Sequence, residues 1–277
     1  MTAIDARTRI AGIIGWPVDH SLSPAMHNAA FEALGLNWAY AAFPVHPDRV
    51  GEAVRGLAAA GCGGLNVTVP HKRAVIEFCS SASPAVEAIG AANTLVPDGA
   101  GGFRADNTDA AGFLRALDDQ APLDLDGRDA LVIGGGGAAR AVAFALRGRG
   151  ARVRVANRTA ARAAELGDPV PFVREALDLV AGQSALVVNA TSLGLHGDAP
   201  PDELPLAGLG PGQAVVDVVY RPGGTPWLEA AAARGARPVD GLGMLLHQGA
   251  AAFAQWTGRE APLEVMRGAL SSRRPPV

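Results

Sequence analysis

The chain has 277 residues, 49% hydrophobic and 18% charged, with a formal net charge of −3. That length suits two domains of roughly 100–150 residues each, and so much apolar material excludes a disordered chain. Its scattered charges leave no basic face for nucleic acid and no polybasic run for a membrane surface, and no segment approaches the ~20 apolar residues of a spanning helix.

Strands and helices alternate from the start. Residues 10–15 read as a short buried strand, too brief for a signal core, that runs into a turn at Trp16-Pro17. Ser21-Leu22-Ser23-Pro24 then opens a helix over 24–34, with Met26, Ala29, Ala30, Phe31 and Leu34 at helical spacing and Gly35 as its C-terminal cap. Pro24 suits the first helical position. Two hydroxyls beside a helix N-terminus suit an anion; the plainer account is N-capping by Ser23 alone.

Residues 38–44 form a second strand, 50–60 a second helix and 64–69 a third strand, ended by Pro70. On that third strand Asn66 and Thr68 share one face by period two. Lys72 follows, and it is the only lysine among 24 basic residues. Arginine cannot trade a proton and lysine can, so this position points to proton transfer; a composition that simply favours arginine is the plainer account. Residues 94–96 and 102–104 read as a hairpin around Asp98-Gly99. Asn93-Thr94 and Asn107-Thr108-Asp109 add polar groups at the ends of apolar runs. Carboxamides, hydroxyls, one amine and one carboxylate suit a small polyhydroxylated acid, although Asn107 or Thr108 would also cap a helix over 109–117.

A new unit begins between residues 105 and 127. A strand over 130–133 feeds a glycine loop, Gly134-Gly135-Gly136-Gly137-Ala138, and a helix over 138–147. Gly134, Gly136 and Ala139 fit G-x-G-x-x-G/A between strand and helix, where glycine lets the backbone approach a pyrophosphate and the helix N-terminus supplies free N–H groups. The next strand, 153–156, ends in Asn157-Arg158-Thr159 with Arg162 one turn on. No carboxylate stands there for a ribose 2′-hydroxyl, and two guanidiniums favour a 2′-phosphate, hence NADP over NAD. The alternative is surface charge, with Arg162 pairing Glu165. A helix over 160–166, strands over 185–189 and 214–219, and helices over 227–234 and 245–257 complete the run. The alternation predicts an α/β protein of parallel sheets with helices on both faces. Cys62 and Cys79 read as reduced thiols of a cytoplasmic protein, and the six histidines show no metal spacing.

Nine motifs then fall in order along nearly the whole chain. They are Ser21-Leu22-Ser23-Pro24, Asn66-Val67-Thr68-Val69-Pro70-His71-Lys72, Gly90-Ala91-Ala92-Asn93-Thr94, Asn107-Thr108-Asp109, the 134–139 loop, Asn157-Arg158-Thr159, Asn189-Ala190-Thr191-Ser192, Tyr220-Arg221-Pro222 and Gly241-Leu242-Gly243-Met244. With them the chain resembles the shikimate dehydrogenases, which reduce 3-dehydroshikimate to shikimate with NADPH on the route to aromatic amino acids. The resemblance implies a substrate domain over 1–108 plus 243–277 and a Rossmann domain over 109–242. It implies Lys72 and Asp109 as catalytic residues, and Ser21, Ser23, Asn66, Thr68, Asn93, Asp109, Tyr220 and Gln248 as substrate ligands. Gly134, Gly135, Gly136, Gly137, Ala138, Asn157, Arg158, Thr159, Arg162, Thr191, Val218 and Gly241 would meet NADP. A monomer or homodimer is implied. Ala105 and Gly135 depart from the common pattern, the latter at some cost in loop rigidity. An NAD-tolerant quinate/shikimate dehydrogenase and a non-catalytic NADP-binding sensor are the competing readings.

Overall fold

A computed structural model describes residues 4–221 and 223–271; Pro222 and the chain ends at 1–3 and 272–277, which the motif and domain expectations include, lie outside them. The chain forms two compact units. One runs to Thr108 and resumes at Leu246; the other spans Asp109–Leu245.

The first unit contains β1 (Arg9–Gly15), α1 (Ser23–Ala33), β2 (Trp38–Pro44), α2 (Val50–Ala59), β3 (Leu65–Val67), β4 (Ser81–Ala82), α3 (Pro84–Ile89), β5 (Thr94–Pro97) and β6 (Phe103–Asp106). Its sheet has the order β2-β1-β3-β5-β6-β4. β1 runs parallel to β2 and β3, but β5 is antiparallel to both β3 and β6. The sheet is therefore mixed, where strand–helix alternation suggests a parallel one. β5 enters already opposed to β3, and the hairpin at Asp98 turns it back into β6; Asp98 Oδ1 accepts the N–H groups of Ala100 (2.7 Å) and Gly102 (2.9 Å). Ile14, Leu65, Val67, Leu95 and Phe103 fill the core on one face.

The second unit contains α4 (Asp109–Gln120), β7 (Asp129–Ile133), α5 (Gly137–Gly148), β8 (Arg152–Ala156), α6 (Ala160–Ala164), β9 (Asp168–Val170), α7 (Arg174–Gln183), β10 (Leu186–Asn189), β11 (Ala214–Asp217), α8 (Pro226–Ala233) and β12 (Arg237–Val239). Its six strands are all parallel, in the order β12-β11-β10-β7-β8-β9. The chain winds outward from β7 to β9, then restarts beside β7 and winds the other way. Ligands bind outside the carboxyl ends of strands at such a reversal. The central strands are buried on both faces, with Leu131, Val132, Ile133, Val187, Val188 and Val215 inaccessible. Pro169 and Pro238 lie in the two edge strands, where a missing N–H breaks no ladder.

Two helices close the chain, α9 (Gly241–Thr257) and α10 (Leu263–Ser271). The part of α9 from Leu246 onward and α10 belong to the first unit, where α10 packs on α1. A Cβ on Gly249 would collide with Met26, so glycine is what lets α9 lie close to α1.

Candidate active site

The first unit gathers polar side chains at the carboxyl ends of β1 and β3. Asn66, Asn93, Thr94, Thr108 and Gln248 are all buried, a costly placement unless each finds a partner. Asn93 is the hub. Its Nδ2 donates to Thr108 Oγ1 (2.9 Å) and Gln248 Oε1 (3.1 Å), while its Oδ1 accepts from Thr108 N–H (2.7 Å) and the Thr94 hydroxyl (3.0 Å). Asn66 Oδ1 accepts from Tyr40 O–H (2.7 Å), and Asn66 Nδ2 donates to Asn93 O (3.3 Å). Three substrate ligands expected from the sequence, Asn66, Asn93 and Gln248, thus form one network.

Thr68 lies just beyond β3 against Gly15, where a Cβ would press on its methyl group. Lys72 is half-buried on the following turn, and its carbonyl accepts Ala92 N–H at 2.7 Å. Ser21 and Ser23 stand at the start of α1, but the helix begins one residue before Pro24 and its N-cap is Leu22, with no side-chain cap. Ser23 is therefore not the cap that the plainer account required. Ser21 Oγ accepts Ser23 N–H at 3.3 Å, and both hydroxyls sit beside a helix N-terminus. Asn107 Nδ2 donates to Ala91 O at 2.8 Å. Asp109 opens α4 and is buried; Tyr220, half-buried, follows β11 in the second unit.

Behind Asn66 lies a buried imidazole that sequence reasoning passed over. His27 stacks on Tyr40 with ring centroids 4.5 Å apart; the Asn66 carboxamide lies beside it, but among the described residues neither ring nitrogen makes a well-formed hydrogen bond. Burial pushes its pKa down to about 3, so it is neutral near pH 7. Its only sequence signal is a histidine on the apolar face of a helix.

In the second unit, the loop between β7 and α5 fits a dinucleotide. Gly134 has φ +133°, and a Cβ there would lie 2.7 Å from the Ala190 carbonyl oxygen. Only glycine lets the loop lie on the segment that follows β10. Gly136 is exposed, a Cβ there would meet nothing within 4 Å, and no side chain caps α5. The first-turn N–H groups therefore face open space suited to phosphate oxygens. At Gly135 a Cβ would stand 3.0 Å from Arg162 Cβ and Asn157 Cγ, so this glycine lets both residues close on the loop. Asn157 Nδ2 donates to Thr159 O at 3.0 Å and shapes the turn. Glu165 pairs with Arg140, not with Arg162. Arg158 and Arg162 are exposed and make no ion pair with a described residue. Thr191 follows β10, and Val218 follows β11 against Gly241, where a Cβ would stand 2.6 Å from Val218 O. Among the described residues no cluster of His, Cys, Asp and Glu could hold a metal, and no helix is long and apolar enough to cross a membrane.

Sequence profiles of known families match three stretches of the chain. One described as "Shikimate dehydrogenase substrate binding domain" matches residues 13–95, "Shikimate / quinate 5-dehydrogenase" matches 116–191, and "Shikimate 5'-dehydrogenase C-terminal domain" matches 241–270. The curated "Shikimate dehydrogenase (NADP(+))" of Methanopyrus kandleri is 47% identical over 97% of both chains. That of Moorella thermoacetica is 47% identical over 96% of this chain and 94% of its own. The crystal structure of shikimate 5-dehydrogenase from Thermus thermophilus, in complex with NADP(H) and shikimate, is 39% identical over 95% of this chain and 98% of its own, with a TM-score of 0.83.

Proposed function

The chain belongs to the shikimate dehydrogenase family, and we infer from its two half-sites how its own residues carry the reversible, NADPH-dependent reduction of 3-dehydroshikimate to shikimate. Bound NADPH supplies the hydride. The loop from Gly134 to Ala138 and the free N–H groups of α5 would hold its pyrophosphate, and Arg158 and Arg162, with Asn157 and Thr159 shaping their turn, would hold its 2′-phosphate. Thr191 and Val218, beyond the carboxyl ends of β10 and β11 and so across the reversal from Arg158, would meet the nicotinamide half, with Gly241 against Val218.

The hydroxyls of Ser21 and Ser23 bind the substrate carboxylate. Asn66, Thr68, Asn93, Asp109, Tyr220 and Gln248 hold its carboxylate or hydroxyls. Lys72 Nζ gives a proton to the ketone oxygen in the forward direction and takes it back in reverse, and Asp109 shares the acid–base work. The observation that carries this reading is the buried network around Asn93. It fixes carboxamide orientations on the same strand ends from which Lys72 follows. Two unpaired cysteines fit a reducing cytoplasm, Cys62 buried and Cys79 half-buried: burial raises the Cys62 thiol and pushes Cys79 up to about 11. The enzyme works there as a monomer or homodimer.

The test is oxidation of shikimate and of quinate with NADP+ and with NAD+, followed by reduced-cofactor absorbance. Turnover concentrated in the shikimate–NADP+ pair is expected. Comparable rates with quinate and NAD+ would replace this reading with a quinate/shikimate dehydrogenase, and no turnover at all would leave an NADP-binding sensor.

A further inference from the structure

The second unit buries a carboxylate that the chemistry above does not use. Asp217 ends β11 and Asn189 ends β10; the two face each other in the parallel register and neither is accessible. Asp217 Oδ1 accepts from Asn189 Nδ2 (2.9 Å) and Val219 N–H (3.1 Å), and Oδ2 accepts from the Thr225 hydroxyl (2.8 Å). Asn189 turns its other face to the loop after β10. Its Oδ1 accepts both the N–H (3.1 Å) and the hydroxyl (2.7 Å) of Thr191, while Nδ2 also donates to Leu193 O (2.9 Å). Burial pushes the Asp217 carboxyl up to about 6, against the hydrogen bonds from Thr225, Val219 and Asn189 that favour its charge.

The logic of the arrangement lies in what each atom can do. An ionised carboxylate only accepts, whereas a carboxamide has one accepting and one donating end. Asp217 therefore forces Asn189 to present Nδ2 toward β11, which leaves Oδ1 for Thr191. A flipped amide would set Nδ2 against the Thr191 N–H, donor against donor. The same carboxylate holds Val219 N–H and so fixes the chain beside Val218.

We propose that Asp217 is a positioning residue for the nicotinamide half of NADP, acting through the orientation of Asn189 on the Thr191 and Val218 loops. The proposal rests on the reading that those loops contact bound NADP. It assigns the Asn189–Asp217 pair nothing at the adenine end, which lies with Arg158 and Arg162.

The test compares binding of NADP+ with binding of 2′,5′-ADP, a fragment carrying only the adenine end, in the full-length enzyme. Asp217→Ala weakens NADP+ about tenfold and leaves 2′,5′-ADP within about twofold. Asp217→Asn rescues most of the loss, because its Oδ1 still accepts from Asn189 and Val219 while its Nδ2 turns to Thr225. Asn189→Leu, which keeps the volume and removes the link, repeats the Asp217→Ala pattern and serves if that variant does not fold. Thr191→Ala, measured alongside, separates the proposal from its premise. If Thr191→Ala weakens NADP+ and Asp217→Ala and Asn189→Leu do not, the positioning role is overturned and the loop reading stands. If none of the three changes NADP+ binding, the loop reading fails and the proposal with it. Equal weakening of NADP+ and 2′,5′-ADP in both Asp217→Ala and Asn189→Leu also overturns it.

Discussion

Lys72 is the residue on which the proposed chemistry turns. Lys72→Ala is expected to lose most of kcat, in the range of about 10²–10⁴-fold that a positioned acid–base group supplies, with little change in shikimate KM. Lys72→Arg is expected to fail as badly, because the charge stays and the proton does not move. Steady-state kinetics with NADP+ and shikimate decide it; turnover within about threefold of normal for the alanine variant would remove Lys72 from the proton path. Arg158 carries a different burden. It lies exposed beyond β8 and makes no ion pair with a described residue, whereas Arg140 is committed to Glu165. Arg158→Ala should raise KM for NADPH far more than KM for NADH; a matched rise in both would end its assignment to the 2′-phosphate.

Among elements, the glycine loop separates two kinds of requirement. Gly134 holds a positive φ and lies on Ala190 O, so Gly134→Ala should lower Tm, with about 1–3 kcal/mol from backbone strain alone. Gly136 has φ −89° and ψ −171°, a conformation any residue adopts, and its Cβ would enter open space. Gly136→Ala should keep the wild-type Tm in thermal unfolding yet bind NADP+ poorly; unchanged NADP+ affinity would show that no phosphate lies there. This strand–loop–helix was readable in the sequence because every signal is local. At Gly135 the reading of lost rigidity was incomplete, since a Cβ would crowd Asn157 and Arg162. Elements without local signals were missed: β9 and β12 contain prolines that argue against strands, and only their edge positions accommodate them. The spacing of Leu177, Val180 and Ala181 did hold a sign of α7. Whereas Gln248 came only with the family resemblance, Asn66 and Asn93 were legible as polar residues in apolar surroundings. The bond from Tyr40 to Asn66 was not, because strand order brings the two together across 26 residues.

For the whole molecule, buried titratable groups set opposite responses to acid in the two units. In the first, burial lowers both His27, to about 3, and His71 below 6.5, each neutral in the fold. The unfolded chain takes up their protons below about 6.5, so their stabilising effect is complete above that pH and is lost as pH falls toward their folded values. In the second, Asp217 is raised from 3.8 to about 6 by burial, so the fold holds its proton more tightly than the unfolded chain. That contribution is complete below 3.8 and is lost as pH rises through 6, which means acidification strengthens this unit. Asp106 and Asp178 do not confuse this window. Burial raises each carboxyl, but hydrogen bonds outweigh it and hold both below 3.8, so they act only in stronger acid. Amide hydrogen exchange at about pH 7 and about pH 4.5, corrected for intrinsic rates, should therefore show protection falling across β1, α1 and β3 while β10 and β11 hold or gain. His27→Phe, which keeps a ring against Tyr40 and removes the proton, should blunt the loss in the first unit, and Asp217→Asn should flatten the response of the second. Equal loss of protection in both units of the unmodified enzyme would mean that neither buried group governs its acid stability.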